Sequence, residues 1–447
     1  MNRSAYLFCV LVMLPFGYIL SDIDFHKNFL LVFVHVIIGF ISIKIIMRKD
    51  SAMLVQAAGV FFLIFFAIFP IYELSNNIIY WDGDDFSSEI RFFGTFAVFI
   101  FVLFFWTALT ITLPYNKKGL PFFFSLFRIH AVSAQKKKWF FFYSIIGIFL
   151  LFNLYQFQIL ALFVKGGEFG DGLNVDLKAG FLFVEFFLRP LIFNMGLVVV
   201  LLGSNNIFHK IFFILVMIFS ASPSGVSRFL VAALYMPLVL AILMGRKNKN
   251  EINLSDNFYL FPNLLLFGTF FLFPLLDVFR NFSFERFSNF SFFEHVVGGS
   301  FDAFQMFLRA LEFGSVNYGY GFLGVLLFFI PRSIWPSKPI TSGIEISLLA
   351  GLRNENVSMP IIGEFYLNFW FFGIIIGASL TAIILKKIDW YYLRHKNSNL
   401  SLGHLLYFQL AGLVMYNMRG GLLSSFAYTV SILTTWLIIT HVLNSKN

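Results

Sequence analysis

Long apolar runs alternate with short polar segments along almost the whole chain. Runs of roughly 20 residues have the length that an α-helix needs to cross a ~30 Å hydrocarbon core. They predict spans near 5–21, 28–47, 52–72, 92–113, 139–164, 181–202, 209–222, 227–245, 258–276, 361–385, 402–418 and 422–443. The short alternating segments that would build a membrane β-barrel are missing. The expected fold is therefore all-α and integral to a membrane, with about twelve transmembrane helices.

One stretch breaks the pattern. Residues 277–360 contain only a short apolar run, 321–330, which cannot span and is closed by Pro331. That run predicts a re-entrant or interfacial helix packed against the bundle. Ahead of it, 284–313 sets Phe287, Phe290, Phe304, Phe307, Leu308 and Leu311 among polar residues at mixed helical spacing. This predicts amphipathic helices lying at the membrane surface. The chain thus divides into 1–276 with helices one to nine, a large loop 277–360, and 361–447 with the last three. No internal repeat is visible, which weighs against the repeat-built transporter folds.

Composition changes the picture only by narrowing it. The chain is 59% hydrophobic and 12% charged, about half the charge of a soluble domain. The net charge of +9 does not point to nucleic acid, because most Lys and Arg lie in short loops. Lys44, Arg48 and Lys49 follow the second span; Lys117, Lys118, Arg128 and residues 136–138 follow the fourth. Arg246, Lys247 and Lys249 follow the eighth; Lys386, Lys387, Arg394 and Lys396 follow the tenth. Strict alternation puts all of them on one side, the cytoplasm, along with both termini. The apolar stretch after Arg3 lacks a small-residue cleavage site and reads as a first helix rather than a signal peptide. Cys9 is the single cysteine, so a disulfide framework and a cysteine-based metal site are excluded.

The candidate chemistry lies on the opposite side. Arg189 stands about two turns into the sixth span, four residues after Glu185. Such a charge is either paired within its helix or turned toward a polar cavity. Arg228 opens the eighth span as an interfacial anchor or a ligand. Arg419 precedes Gly420 and Gly421 in the last outer turn, where close backbone approach suits a turn or an anion site. Arg280 and Arg286 open the large loop. A guanidinium fork matches phosphate oxygens well, so a pyrophosphate is a natural ligand for these arginines. In Pro-Arg-Ser-Ile-Trp-Pro-Ser-Lys-Pro at 331–339, three prolines exclude regular helix and stiffen the backbone bearing Arg332, Trp335 and Lys338. Glu364 and Asn368 share a helix face at the outer end of the tenth span. Asp302 and Glu364 are the candidate bases; His295 reads as a surface histidine. Asp82, Asp84 and Asp85 form either an ordinary acidic outer loop or an oxygen-ligand cluster for a divalent metal. Gly373 and Gly377 have small-residue spacing suited to helix packing. Neither a P-loop, a dinucleotide fingerprint, HExxH nor Gly-x-Ser-x-Gly occurs.

The Pro-Arg-x-x-Trp-Pro-x-Lys-Pro loop leads into Met-Pro-Ile-Ile-Gly-Glu-Phe-Tyr at 359–366 and Trp-Phe-Phe-Gly at 370–373. With Ser227 and Arg228 earlier and Met-Arg-Gly-Gly at 418–421 later, the chain resembles the O-antigen and capsule repeat-unit polymerases of the Wzy type. The resemblance implies a glycosyltransferase with a GT-C-like membrane fold and a large periplasmic loop, acting at the periplasmic face of a bacterial inner membrane. It implies a glycan on undecaprenyl pyrophosphate as donor, one lipid-linked repeat unit as acceptor, and no metal or other cofactor. Membrane lipid and a chain-length regulator would be its partners. Carried onto this chain, Arg228, Arg332, Lys338 and Arg419 would hold the donor pyrophosphate, with Trp335 beside the sugar. Arg189 would serve from within the bundle, and Asp302 or Glu364 would be the base. The competing expectations are an O-antigen ligase, a metal-dependent GT-C enzyme using the acidic loop, and a lipid-linked oligosaccharide flippase.

Overall fold

The computed structural model describes residues 28–48, 52–111, 131–154, 183–203, 206–223, 225–244, 259–275, 299–355, 357–395 and 399–444, with a few isolated positions besides. The predicted span 5–21, apart from four of its residues, lies outside them, as does 277–298 with Arg280, Arg286 and His295.

All regular structure among the described residues is helical. The helices are α1 Phe29–Ile46, α2 Met53–Asn76, α3 Ser88–Thr110, α4 Ala134–Leu154, α5 Val184–Gly203, α6 Ile207–Ser220 and α7 Arg228–Met244. They continue with α8 Leu260–Leu275, α9 Ala303–Phe313, α10 Tyr320–Leu326, α11 Ser342–Leu349, α12 Ile361–Leu393, α13 Leu402–Arg419 and α14 Leu422–Asn444. Six of them, α1, α2, α3, α5, α12 and α14, are long and apolar enough to cross a membrane. Large side chains such as Phe29, Phe40, Phe208 and Phe372 stand exposed on the outer faces, as expected of helices solvated by lipid rather than water.

At the centre is α2, buried along its whole apolar window and packed against α1, α8, α12 and α13. Its phenylalanines stack along the axis, Phe61 on Phe65 at 4.8 Å and Phe62 against Phe105 at 5.0 Å. A π-helical turn at Ile64–Ile68 interrupts it. The His35 ring of α1 satisfies a carbonyl there, donating from Nδ1 to Phe66 O at 2.7 Å, while its Nε2 pairs with Thr95 of α3. A second buried polar chain ties α5, α13 and α14. The Asn194 amide donates to Thr435 Oγ1, Gln409 donates to Asn194 Oδ1, and the Trp436 indole donates to Gln409 Oε1.

Helices α7 and α13 approach most closely where Gly412 meets Ala233. A Cβ on Gly412 would stand 2.6 Å from Ala233 Cα, so a side chain there must push backbone from backbone. Gly412→Val is expected to cost about 1–3 kcal/mol by over-packing, read as a lower unfolding temperature of the detergent-purified protein. An unchanged temperature would mean that the helices can separate freely at this point.

The structure differs from the sequence expectation in two places. The described end of the 284–313 segment, α9, does not lie on a surface: residues 303–310 are all buried in the bundle. Its polar positions are internal links rather than a solvated face. The tenth span is also not continuous. Phe369 has φ −140° and Trp370 φ +56° with ψ −152°, outside helical geometry. A Cβ on Gly373 would lie 2.2 Å from Phe365 O, and one on Gly377 would lie 2.3 Å from the Phe365 ring. Twelve residues of straight helix extend about 18 Å, so the Phe365 ring reaches Gly377 only because the chain folds back at 369–370. The small residues at 373 and 377 accommodate that fold-back.

Candidate functional site

The ends of the helices sort the polar residues. At one end Asp389 of α12 accepts from the α2 N-terminus, and Lys386 donates to Leu109 O and Ile111 O at the α3 C-terminus. At the other end, the end of α2, the start of α9, the end of α13 and the start of α14 meet. Three of the sequence candidates converge there.

Arg419 is the last residue of α13. Its Nη2 donates to Asp302 Oδ1 at 2.8 Å, with side chains 13% and 1% exposed. The guanidinium lies over the Phe65 and Phe229 rings, 5.7 and 5.6 Å from their centroids, and its Nε makes no hydrogen bond. Phe65 and Phe229 are also walls of a narrow cleft, together with Arg228, Thr269, Phe273, Pro274 and Phe301. Two π-helical turns shape this cleft, the one carrying Phe65 in α2 and the one carrying Thr269 in α8. Such turns re-aim side chains and recur at functional sites. Arg228, Arg419 and Asp302 thus come from three distant segments to one place.

Asp302 is held from several sides. Its Oδ2 accepts from the Trp81 indole at 2.7 Å. One turn later, Gln305 accepts from the Tyr80 N–H at 3.0 Å and donates to Ile78 O at 2.8 Å. Residues 78–81 are therefore stitched to α9. The Trp81 ring lies against Gly299, where a Cβ would come within 2.5 Å of it, so only glycine fits. Burial pushes the Asp302 carboxyl above the usual carboxylate range, against the opposing pull of Arg419 and the Trp81 N–H. Glu73, 3% exposed, adds a second carboxylate close enough to feel the Asp302 charge. Its oxygens make no hydrogen bond of ordinary geometry, and the Gln305 amide is the polar group that approaches it.

The other candidates take different positions. Glu364 accepts from the Ser342 hydroxyl and from the Leu422 backbone N–H, each at 2.8 Å. It caps the start of α14 and fastens α11, so both its oxygens have structural partners. Arg189 forms the intrahelical pair, Nη2 to Glu185 Oε1 at 2.9 Å, and is buried. Arg332 donates to Lys338 O and to Pro339 O, and the Lys338 ammonium donates to Phe328 O and Ile330 O. Burial, then the Arg332 charge, pushes the Lys338 ammonium down from its usual range. Trp335 donates to the Tyr320 and Ser337 hydroxyls. The proline-rich loop is thus a clasp closed by its own cations and packed toward α14 through Phe328 and Phe426. Arg332→Ala is expected to open that clasp, seen as faster limited proteolysis within 331–339. Unchanged cleavage would show that the two carbonyl bonds contribute nothing.

Two of the three acidic-loop carboxylates face arginines. Asp85 pairs with Arg91, and Asp82 faces Arg353 at 3.4 Å. Among the described residues no group of three or more His, Cys, Asp or Glu could hold a metal ion. Sequence reasoning missed Arg309, which is buried, donates to Asp84 O and Glu312, and lies 4.0 Å from the Phe86 ring centroid. It also missed Glu73, Gln305 and the Trp81 indole. The available signal for Arg309 was its place on the polar side of an amphipathic helix, in line with Asp302, Gln305 and Glu312. A lone carboxylate just beyond the third apolar run was the signal for Glu73.

Fold and site together define a helical protein of the membrane-spanning class, with an internal cleft lined by Arg228 at one end of the bundle and the buried Arg419–Asp302 pair beside it. Comparison with protein-family models, with curated proteins and with solved structures finds no match for this chain.

Proposed function

We propose that the chain is a membrane-embedded glycosyltransferase with about twelve spans and a GT-C-like fold, which polymerises lipid-linked oligosaccharide repeat units at the periplasmic face of a bacterial inner membrane. The observation that carries this reading is a narrow cleft lined by Arg228, with Arg419 packed over its Phe65 and Phe229 walls and paired there with Asp302. Two guanidinium groups suit the pyrophosphate of an undecaprenyl-linked glycan, and a buried carboxylate beside them suits proton removal.

In this reading the acceptor hydroxyl loses its proton to Asp302 and attacks the anomeric carbon of the donor glycan. The bond from that carbon to the pyrophosphate oxygen breaks, and the electron pair leaves with the phosphate. Arg228 and Arg419 stabilise the developing charge, a term that often dominates catalysis. Of the two candidate bases Asp302 is favoured, because it stands beside Arg419, whereas Glu364 is held by the Leu422 N–H at the start of α14 and by Ser342 of α11. Lys338 and Arg332 act by keeping the proline-rich loop folded. Pairing of Asp82 and Asp85 with arginines gives the metal-dependent alternative less support.

The test is a glycan gel of cells lacking this gene. Loss of the long ladder with a single repeat unit still attached to the lipid core supports polymerisation. Complete loss of the repeat unit would replace this reading by ligation or flipping.

A further inference from the structure

The Arg419–Asp302 pair links the two halves of the proposed site. The same guanidinium that should hold the leaving phosphate is bonded, at 2.8 Å, to the carboxylate that should take the acceptor's proton. Both groups cannot do their work while they hold each other. Asp302 as partner of a guanidinium is a poor base, and Arg419 as partner of a carboxylate has one donor fewer for phosphate. The rest of the geometry allows an exchange. Arg419 already lies against Phe65 and Phe229, two walls of the cleft, with its Nε making no hydrogen bond. Asp302 keeps a second anchor, the Trp81 indole on Oδ2, when the guanidinium leaves Oδ1.

We infer that Arg419 changes partner when the donor binds, leaving Asp302 for the pyrophosphate, so that the carboxylate becomes a working base only in an enzyme whose phosphate subsite is filled. This rests on the reading of the cleft as a pyrophosphate site. Its consequence is order: a lipid-linked acceptor arriving first meets a neutralised carboxylate and no reaction begins. Other groups facing Asp302 are Trp81 and Tyr80, from the loop after α2, and Glu73 from α2. None of them is a cation that could replace Arg419. Once the guanidinium moves, burial acts on the Asp302 carboxyl with only the Trp81 N–H opposing it among side chains.

Competition of this kind is measurable without turnover. The full-length protein in nanodiscs is titrated with inorganic pyrophosphate by calorimetry, comparing wild type with Asp302→Asn, Trp81→Phe and Arg419→Ala. Asp302→Asn removes the competing charge and should bind pyrophosphate about tenfold tighter, a change of about 1.4 kcal/mol. Trp81→Phe removes the other donor to the carboxylate, concentrates its charge on Arg419, and should weaken binding about threefold. This second variant keeps the test open if Asp302→Asn fails to fold. Arg419-dependent binding that neither variant alters would overturn the exchange while leaving the pyrophosphate site standing. Equal affinity in wild type and Arg419→Ala would overturn the site itself.

Discussion

Arg419→Ala is expected to abolish the long glycan ladder in cells, with transfer by purified protein down about 10²–10³-fold or more, the usual effect of losing one donor aimed at developing charge. Arg419→Lys should recover little, because an ammonium cannot reproduce a planar fork that spans a carboxylate or a phosphate. A complication follows from burial. Truncating Arg419 leaves Asp302, 1% exposed, without its counter-charge, and breaking one side of a buried pair costs about 3–5 kcal/mol. Loss of ladder could then reflect loss of protein. Arg419→Lys separates the two causes, since it keeps a counter-charge beside Asp302 without the guanidinium fork. Protein level and unfolding temperature should recover toward wild type while the ladder stays absent. If the ladder returns with the protein, Arg419 serves stability alone and the pyrophosphate reading fails.

The helices were legible because each crossing needs an uninterrupted apolar run, and runs such as Ser88–Thr110 and Leu422–Asn444 lie within a few residues of the hydropathy pattern. The Arg189 pair was legible for an equally local reason, the i, i+4 spacing from Glu185. What depends on distant chain was not. The break at Phe369 and Trp370 carries no proline or glycine of its own. It is held by Asn317 donating to Leu367 O at 2.8 Å and by the Phe322 N–H donating to Asn368 at 2.6 Å, links that cross about fifty residues of chain. The same holds for the site. Arginine and carboxylate could be named from their surroundings in sequence. That Asp302 rather than Glu364 pairs with Arg419 is decided by packing across the bundle, where Asp302 meets Arg419 and Trp81 while Glu364 accepts from the Leu422 N–H and Ser342. Arg332 and Lys338, conspicuous in the sequence as cations on a rigid loop, satisfy that loop's own carbonyls, because prolines leave carbonyls without intraloop N–H partners.

Asp389 should give the opposite phenotype to Arg419, a large loss of stability with little change in chemistry. Its carboxylate accepts the backbone N–H groups of Ala52, Leu54 and Val55 at 2.8, 3.0 and 3.1 Å, and the Tyr407 hydroxyl at 2.7 Å. Tyr407 in turn accepts the Met53 N–H at 2.9 Å and stacks on Tyr392 at 3.7 Å. One side chain therefore satisfies the first turn of the central helix from 335 residues away in sequence, and at α2 no residue of its own does so. Removing it strands several donors in a buried place, at about 1–3 kcal/mol for each unsatisfied group. Asp389→Ala is expected to lower the unfolding temperature and the amount of purified protein sharply. Asp389→Asn, which keeps one acceptor, should fall between. The residue lies about 30 Å along α2 from Glu73, so the fraction that folds should transfer glycan at the wild-type rate per molecule. A stable Asp389→Ala protein would mean that the α2 N-terminus finds other acceptors. A stable but inactive one would place part of the chemistry at this end of the bundle, away from the Arg419 cleft.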